Sequence, residues 1–98
     1  MKLLTKAILK KLPKLGTTNS GKAIVKFFNP TGAGTWFASE FDGVDTFFGW
    51  AIIHAGCGEY GYFSLSELTS FRGTFGLGIE RDLYFDPCPM VDAIKRYE

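Results

Sequence analysis

The side chains best suited to nucleophilic chemistry are His54 and Cys57, which lie three positions apart. A cysteine becomes a nucleophile when a histidine accepts its proton and positive surroundings favour the thiolate. No nearby residue obviously orients the imidazole, and the acidic Glu59 works against thiolate formation. The chain also lacks a Gly-x-Ser-x-Gly nucleophile motif. A local structural role for His54, at the end of a buried strand, is therefore favoured over a catalytic pair.

Three carboxylates, Glu40, Asp42 and Asp45, fall within six residues. Glu40 and Asp42 are expected on one face of a strand, because strand side chains alternate with a period of two. Such a group can hold Mg²⁺ or Ca²⁺, but the spacing is not that of an EF-hand. Asp-Gly is also common at turns for conformational reasons. One histidine and two separated cysteines are too few for a structural zinc site. We expect no metal, no cofactor and no catalytic residue.

Charge is unevenly distributed along the chain, although the formal net charge is only +1. Residues 1–26 contain seven lysines and no acid, whereas residues 27–98 contain four basic residues and all ten acids. The positive charge of the first segment and the negative charge of the second nearly cancel, which favours a basic segment that lies over the acidic body of the same domain. The competing interpretation is nucleic-acid binding, since a stripe of lysines can contact phosphates. The stripe recurs at four-residue spacing: Lys2, Lys6, Lys10 and Lys14.

Glu80, Arg81 and Asp82 place charges of both signs side by side. In an extended segment the two acids face one side and Arg81 the other. An arginine in this position can hold a carboxylate or a phosphate through two parallel hydrogen bonds. An ion pair with an acid on a neighbouring strand is the favoured interpretation.

The pattern of the sequence predicts the elements that position these residues. Thr5 is a plausible N-cap for a short amphipathic helix that ends before Pro13. A capping box from Ser64 to Glu67 predicts a second short helix over 65–71. Pro89 stands at the first turn of a closing helix over 90–97. Strands or extended segments are predicted over residues 22–28, 35–41, 46–53, 60–64 and 79–85.

This order of elements predicts one α+β domain that spans residues 1–98. We expect an antiparallel meander sheet of four to five strands, with a short N-terminal helix, a short helix after strand 4 and a C-terminal helix. No run approaches the roughly 18–20 apolar residues of a membrane-spanning helix, so no membrane partner is expected. Two cysteines without a visible signal peptide, Cys57 and Cys88, predict a cytoplasmic protein with free thiols.

The sixteen aromatic side chains exceed what one small core requires. Phe47, Phe48 and Trp50 cannot all point to one side of a strand, because successive residues alternate. Either this strand is covered on both faces, or one face is an interface. Exposed patches rich in Tyr, Trp and Phe favour protein recognition or self-association. We expect a monomer or a homodimer.

Four sequence blocks resemble a small bacterial family known as domain of unknown function 2958. They are GYFSLSEL (61–68), GLGIERDLYF (76–85), VKFFNP (25–30) and TWFASEFDG (35–43). The resemblance covers nearly the whole chain and implies no activity and no catalytic residue. Members of the family look like cargo of plasmids, phages and integrative elements. The resemblance therefore implies an accessory or anti-defence role.

Three hypotheses follow. The leading one is a non-enzymatic binding protein of a mobile element, which acts in host takeover or against host defence by docking on a host or element-encoded protein. Its aromatic face or acidic rim is expected to bind through Trp36, Asp42, Asp45, Trp50 and Glu59. The first alternative is a nucleic-acid-binding accessory protein that uses the stripe of Lys2, Lys6, Lys10 and Lys14. The second is a small hydrolase or nucleotide-binding protein that uses His54, Cys57 or the carboxylates of residues 40–45.

Overall fold

A computed structural model describes residues 2–17, 21–54 and 57–96, with the backbone alone described at His54. These residues form three short helices, and Thr74–Gly76 form a single 3-10 turn. The helices are α1 (Lys6–Lys11), α2 (Leu65–Ser70) and α3 (Met90–Lys95). The strands are β1 (Lys22–Ala23), β2 (Val25–Phe28), β3 (Thr35–Phe41), β4 (Thr46–His54), β5 (Cys57–Ser64), β6 (Glu80–Arg81) and β7 (Cys88–Pro89). The predicted α+β class is confirmed.

Five strands form one antiparallel sheet in the order β5-β4-β3-β2-β6. Strands β2 to β5 follow one another as the predicted meander. After α2 the chain crosses to the far side of the sheet, where Arg81 of β6 pairs with Phe27 of β2. The strands β1 and β7 form a separate two-stranded ribbon. Among the described helices, none combines the length and the hydropathy that a membrane span requires.

Two predicted extended segments are shorter or more divided than the sequence indicated. The segment 22–28 divides at Ile24, because Lys22 and Ala23 pair with β7 while Val25 begins the pairing with β3. The segment 79–85 is a strand only at Glu80–Arg81. The chain turns there because the Asp82 carboxylate accepts a hydrogen bond from the amide of Tyr84 at 2.9 Å.

The helix starts follow the capping signals. The Thr5 hydroxyl accepts a hydrogen bond from the amide of Ile8 at 3.2 Å, and the Ser64 hydroxyl accepts one from the amide of Glu67 at 3.0 Å. Each bond satisfies an amide that lacks a partner inside its own helix. The closing helix begins one residue after Pro89, which is its N-cap rather than a residue of its first turn.

The sheet is covered on both faces. On the first face, Phe47 is fully buried and its ring lies 4.6 Å from that of Phe41, 5.3 Å from Phe63 and 5.4 Å from Phe27. The helices α1 and α2 pack on this cluster through Ile8, Leu65 and Leu68, together with Leu4 and Leu12, which flank α1. On the second face, Met90 and Ala93 of α3 pack on Phe37. The strand β4 therefore has aromatic side chains on both sides, which explains its nearly continuous apolar sequence.

Candidate functional site

An open cleft of about 390 Å³ lies between α2 and the first face of the sheet, next to the edge strand β5. We call it the β5 cleft. Most of its lining is apolar, as expected for a binding pocket. Its lining residues are Trp36, Ala51, Ile53, Glu59, Tyr60, Gly61, Tyr62, Phe63, Ser64, Glu67, Leu68, Phe71 and Ile79.

The cleft exists because Gly61 leaves space above the sheet. A methyl group built on Gly61 would meet no atom within 4 Å. Its cross-strand neighbour Gly49 differs, because a methyl group there would come within 1.8 Å of the Phe37 carbonyl oxygen. Gly49 therefore permits the close approach of β3 and β4, whereas Gly61 leaves the floor of the cleft open.

Two carboxylates, Glu59 and Glu67, give the cleft its charge. Both residues are exposed, and neither forms an ion pair within the described parts of the chain. The described lining residues include no lysine, arginine or histidine. The β5 cleft thus combines an apolar floor with an acidic rim, so its chemistry favours a group that is both apolar and cationic.

The strand β5 is the last strand of the sheet on this side, and no described strand pairs with its outer edge. The amide of Leu65 donates to the Asp45 carbonyl at 2.7 Å, which fixes the pattern of hydrogen bonds between β4 and β5. Hydrogen-bonded and non-bonded pairs alternate along an antiparallel pair. The backbone N–H and C=O groups of Tyr60 and Tyr62 consequently point away from β4, toward the open edge.

On the second face of the sheet, β4 and β5 carry a row of aromatic rings. The Phe48 ring lies 6.1 Å from Tyr60 and 4.9 Å from Tyr62, and Trp50 meets Tyr60 edge-on at 4.8 Å. Tyr62 is 71% exposed and Tyr60 is 46% exposed. The indole N–H of Trp50 is buried and has no hydrogen-bond partner among the described residues. The edge strand is therefore bordered by the cleft on one face and by aromatic rings on the other.

The five residues predicted to bind a partner do not form one surface. Trp36 and Glu59 both line the β5 cleft. Trp50 lies on the opposite face, where it packs against the Phe37 and Met90 cluster. Asp42 and Asp45 lie in the turn between β3 and β4, where both side chains accept hydrogen bonds from the protein itself.

The hydrogen bonds of the turn give both aspartates a structural role. Asp42 accepts from the amides of Val44 and Asp45 at 2.8 Å and of Thr46 at 3.0 Å. These backbone donors, that of Val44 first, hold the pKa of Asp42 below its ordinary value of 3.8. Asp45 accepts from the amide of Ser66 at 2.8 Å and from its hydroxyl at 2.9 Å. Asp45 thus ties the β3–β4 turn to the start of α2.

The lysine stripe lies on the outside of α1 and its flanks. Its four side chains are exposed, and within the described ranges they form no ion pair: Lys2, Lys6, Lys10 and Lys14. In the basic segment, Lys26 does form one, with Asp82 at 3.2 Å. The described contacts therefore leave the stripe in solvent rather than paired with the acidic body of the domain. Arg81, expected to pair with an acid, donates to the Lys2 carbonyl at 2.7 Å.

The groups predicted for catalysis are separated in the structure. Glu40 is buried and accepts from the amide of Gly16 at 2.9 Å, whereas Asp42 lies beyond the end of β3. The expectation that these two carboxylates share a strand face was wrong, because β3 ends at Phe41. Among the described residues, no three His, Cys, Asp or Glu side chains come together. The His54 side chain lies outside the described part of the chain, so its expected local structural role stays a prediction and its pairing with Cys57 stays the disfavoured alternative.

The two cysteines lie in different sheets. Both are free thiols. Cys57 is exposed at the start of β5, and Cys88 is half-buried in β7.

Comparison with known families identifies the chain. A family model described as protein of unknown function (DUF2958) matches residues 3–95. The chain belongs to this family. The comparisons with curated proteins and with solved structures give no match. The resemblance seen in the sequence is thereby confirmed, and the family description supplies no activity for the cleft.

Sequence reasoning did not select Gly61, Glu67 or Phe71 for this site. The capping box already explained why a glutamate stands at position 67. It gave no sign that the Glu67 carboxylate is left available to a partner. A signal was present at Gly61, since a glycine between aromatic residues in a strand marks a gap or a close backbone approach. The structure brings the three residues together because α2 folds back over the end of β5.

Proposed function

We propose that this chain is a non-enzymatic binding protein that holds an apolar and basic segment of another protein in the β5 cleft. The observation that supports the proposal most strongly is the combination of an open apolar floor at Gly61 with two unpaired carboxylates on the rim. An enzyme would require convergent reactive groups, and the cleft presents carboxylates that face solvent instead. The acidic rim is assigned to Glu59 and Glu67, since Asp42 and Asp45 are bonded within their own turn.

The biological setting of the proposal comes from the resemblance to cargo of plasmids and phages. We propose that the partner is a cytoplasmic host or element-encoded protein, and that occupying one of its basic segments inhibits a host defence. Neither a cofactor nor a metal is part of this proposal.

The proposal is tested by capture from a nuclease-treated bacterial lysate, with quantitative mass spectrometry of the recovered proteins. Gly61→Val fills the floor of the cleft: a Cβ atom at this position meets no atom within 4 Å, and valine is favoured in strands. Glu59→Lys reverses the charge of the rim. Asp92→Lys is the matched control, because Asp92 is an exposed acid on α3, which packs on the opposite face.

A protein partner recovered by the wild type and by Asp92→Lys, but reduced at least about tenfold by each cleft variant, supports the proposal. Equal recovery by wild type and Gly61→Val contradicts it. Each variant is first compared with the wild type by thermal unfolding, so that loss of fold is separated from loss of binding.

Nucleic-acid binding is kept as a second candidate because the lysine stripe is exposed and unpaired in the described ranges. This alternative predicts recovery that vanishes with nuclease and affinity that falls steeply with salt. Lys6→Glu with Lys10→Glu should then abolish recovery, whereas Gly61→Val should leave it unchanged. The two candidates therefore give opposite patterns in one set of variants.

A further inference from the structure

The outer edge of β5 is a second feature of the site, and it concerns how a partner would bind. The strand is eight residues long, contains no proline and no lysine, and carries one charged residue, Glu59. Proteins normally protect such an edge with charge, proline, a bulge or a covering element. The outward backbone groups of Tyr60 and Tyr62 are therefore available to a further strand.

We propose that the partner segment binds as an added antiparallel strand on the outer edge of β5. The inference rests on the proposed function and specifies the conformation of the bound segment. Main-chain hydrogen bonds supply affinity in this mode, and alternate side chains supply specificity. Residues on one side of the added strand would lie over the β5 cleft, and those on the other side would lie against Tyr60 and Tyr62.

Charge determines which occupant fits. Side chains that lie over the cleft meet the carboxylates of Glu59 and Glu67, so the matching segment alternates arginine or lysine and an apolar residue on that side. A second copy of β5 fits less well, because β5 contains no basic residue. The occupant is therefore an extended basic segment of another protein rather than the same strand of a second chain.

The geometry also specifies which amides of the partner are bonded. Opposite residues of an antiparallel pair place their side chains on the same face. The partner residues opposite Tyr60 and Tyr62 thus point to the aromatic face, and their own N–H groups face β5. The amides of the residues above the cleft point to solvent.

The test uses a nine-residue peptide in which arginine and leucine alternate with threonine, titrated into isotope-labelled protein and followed by NMR. One version carries N-methyl groups on the threonine amides, and the matched version carries them on the arginine and leucine amides. We expect the version methylated on the threonine amides to bind at least about tenfold more weakly than the unmodified peptide, because it loses several hydrogen bonds. The version methylated on the arginine and leucine amides should bind with the same affinity as the unmodified peptide.

A protein variant tests the same bonds from the other side. Tyr62→Pro removes an outward N–H from an edge strand, where proline is tolerated, and Tyr62→Ala removes only the side chain. We expect Tyr62→Pro to weaken peptide binding about tenfold and Tyr62→Ala about threefold or less. Equal effects of the two N-methylated peptides, or equal effects of the two variants, overturn strand addition.

The same titrations separate the inference from the proposed function. If Gly61→Val loses peptide binding while Tyr62→Pro binds fully, the β5 cleft remains the binding site and strand addition is overturned. No binding by any peptide overturns the inference, and the lysate capture then decides the proposed function alone. Concentration-dependent dimers in sedimentation that Tyr62→Pro abolishes would assign the edge to a second copy and would also overturn it.

Discussion

The two edges of the five-stranded sheet differ in length, charge and cover. At one end, β6 has two residues, both charged, and Arg81 donates to the carbonyl of Lys2. Asp82 directly after it pairs with the buried Lys26. At the other end, β5 has eight residues with one charge, and its outer backbone groups face no described strand. The β6 edge is short, charged and tied to the N-terminal segment by the Arg81 side chain, whereas the β5 edge is long, nearly uncharged and open.

The difference identifies the edge of the sheet at which we propose that a partner binds. Short and charged edge strands discourage pairing with other chains, whereas long and uncharged ones favour it. The open edge is also the one that borders the β5 cleft and the exposed rings of Tyr60 and Tyr62. Three features that favour protein recognition therefore coincide at β5, whereas β6 is a short strand of two charged residues.

The largest effect on stability is expected from the hydrophobic core that lies between the two edge strands. Phe47 is fully buried and its ring contacts Phe27 of β2 and Phe63 of β5. We expect Phe47→Ala to lower the free energy of unfolding by about 3–5 kcal/mol, as for other buried phenylalanines. Urea unfolding measures the change, and Phe47→Leu is the smaller control. A loss below about 1 kcal/mol would show that this cluster does not join the two edges.

An intermediate effect on stability is expected at the β6 edge. Lys26 is buried and its ammonium nitrogen lies 3.2 Å from an Asp82 oxygen. Lys26→Met keeps the aliphatic stem but removes the charge, and we expect a loss of about 2 kcal/mol, because the bond joins two charged groups. A double-mutant cycle with Asp82→Asn measures the coupling. Simple additivity of the two losses would contradict a stabilising pair.

The smallest effect is a pH dependence at the β3–β4 turn, which supports the start of α2. The pKa of Asp42 is lowered by its backbone donors, so the unfolded chain binds the proton more tightly than the folded one. The stabilisation by Asp42 is complete above the ordinary value of 3.8 and is lost as the pH falls below it. Urea unfolding at pH 7 and pH 3 should show a smaller pH difference for Asp42→Asn than for the wild type. An identical difference in both proteins would contradict this assignment.

The sequence predicted the helices and strands better than it predicted which strands pair with one another. Thr5 and Ser64 marked helix starts that the structure confirms, because capping depends on neighbouring residues alone. The strand 35–41 was also predicted with its exact limits. The division of 22–28 at Ile24 was not predictable, since it depends on β7, which lies more than sixty residues away.

The candidate site was predicted only in part, because residue type does not tell which face a side chain occupies or which groups it bonds. Trp36 and Glu59 were selected for their residue types, and both line the cleft. Trp50 was selected with them, but the alternation of strand side chains places it on the other face. Asp42 and Asp45 were selected because acidic residues can form a charged rim, yet both carboxylates accept hydrogen bonds from the protein itself. A free carboxylate and a bonded one look alike in a sequence.

We propose that a partner binds at the outer edge of β5. Amide hydrogen exchange tests it most directly, measured on the protein alone and in the complex recovered from the nuclease-treated lysate. We predict new protection at the amides of Tyr60 and Tyr62, with no change at Arg81 or along α1. Unchanged exchange along β5, with protection at Arg81 or along α1 instead, would contradict binding at this edge.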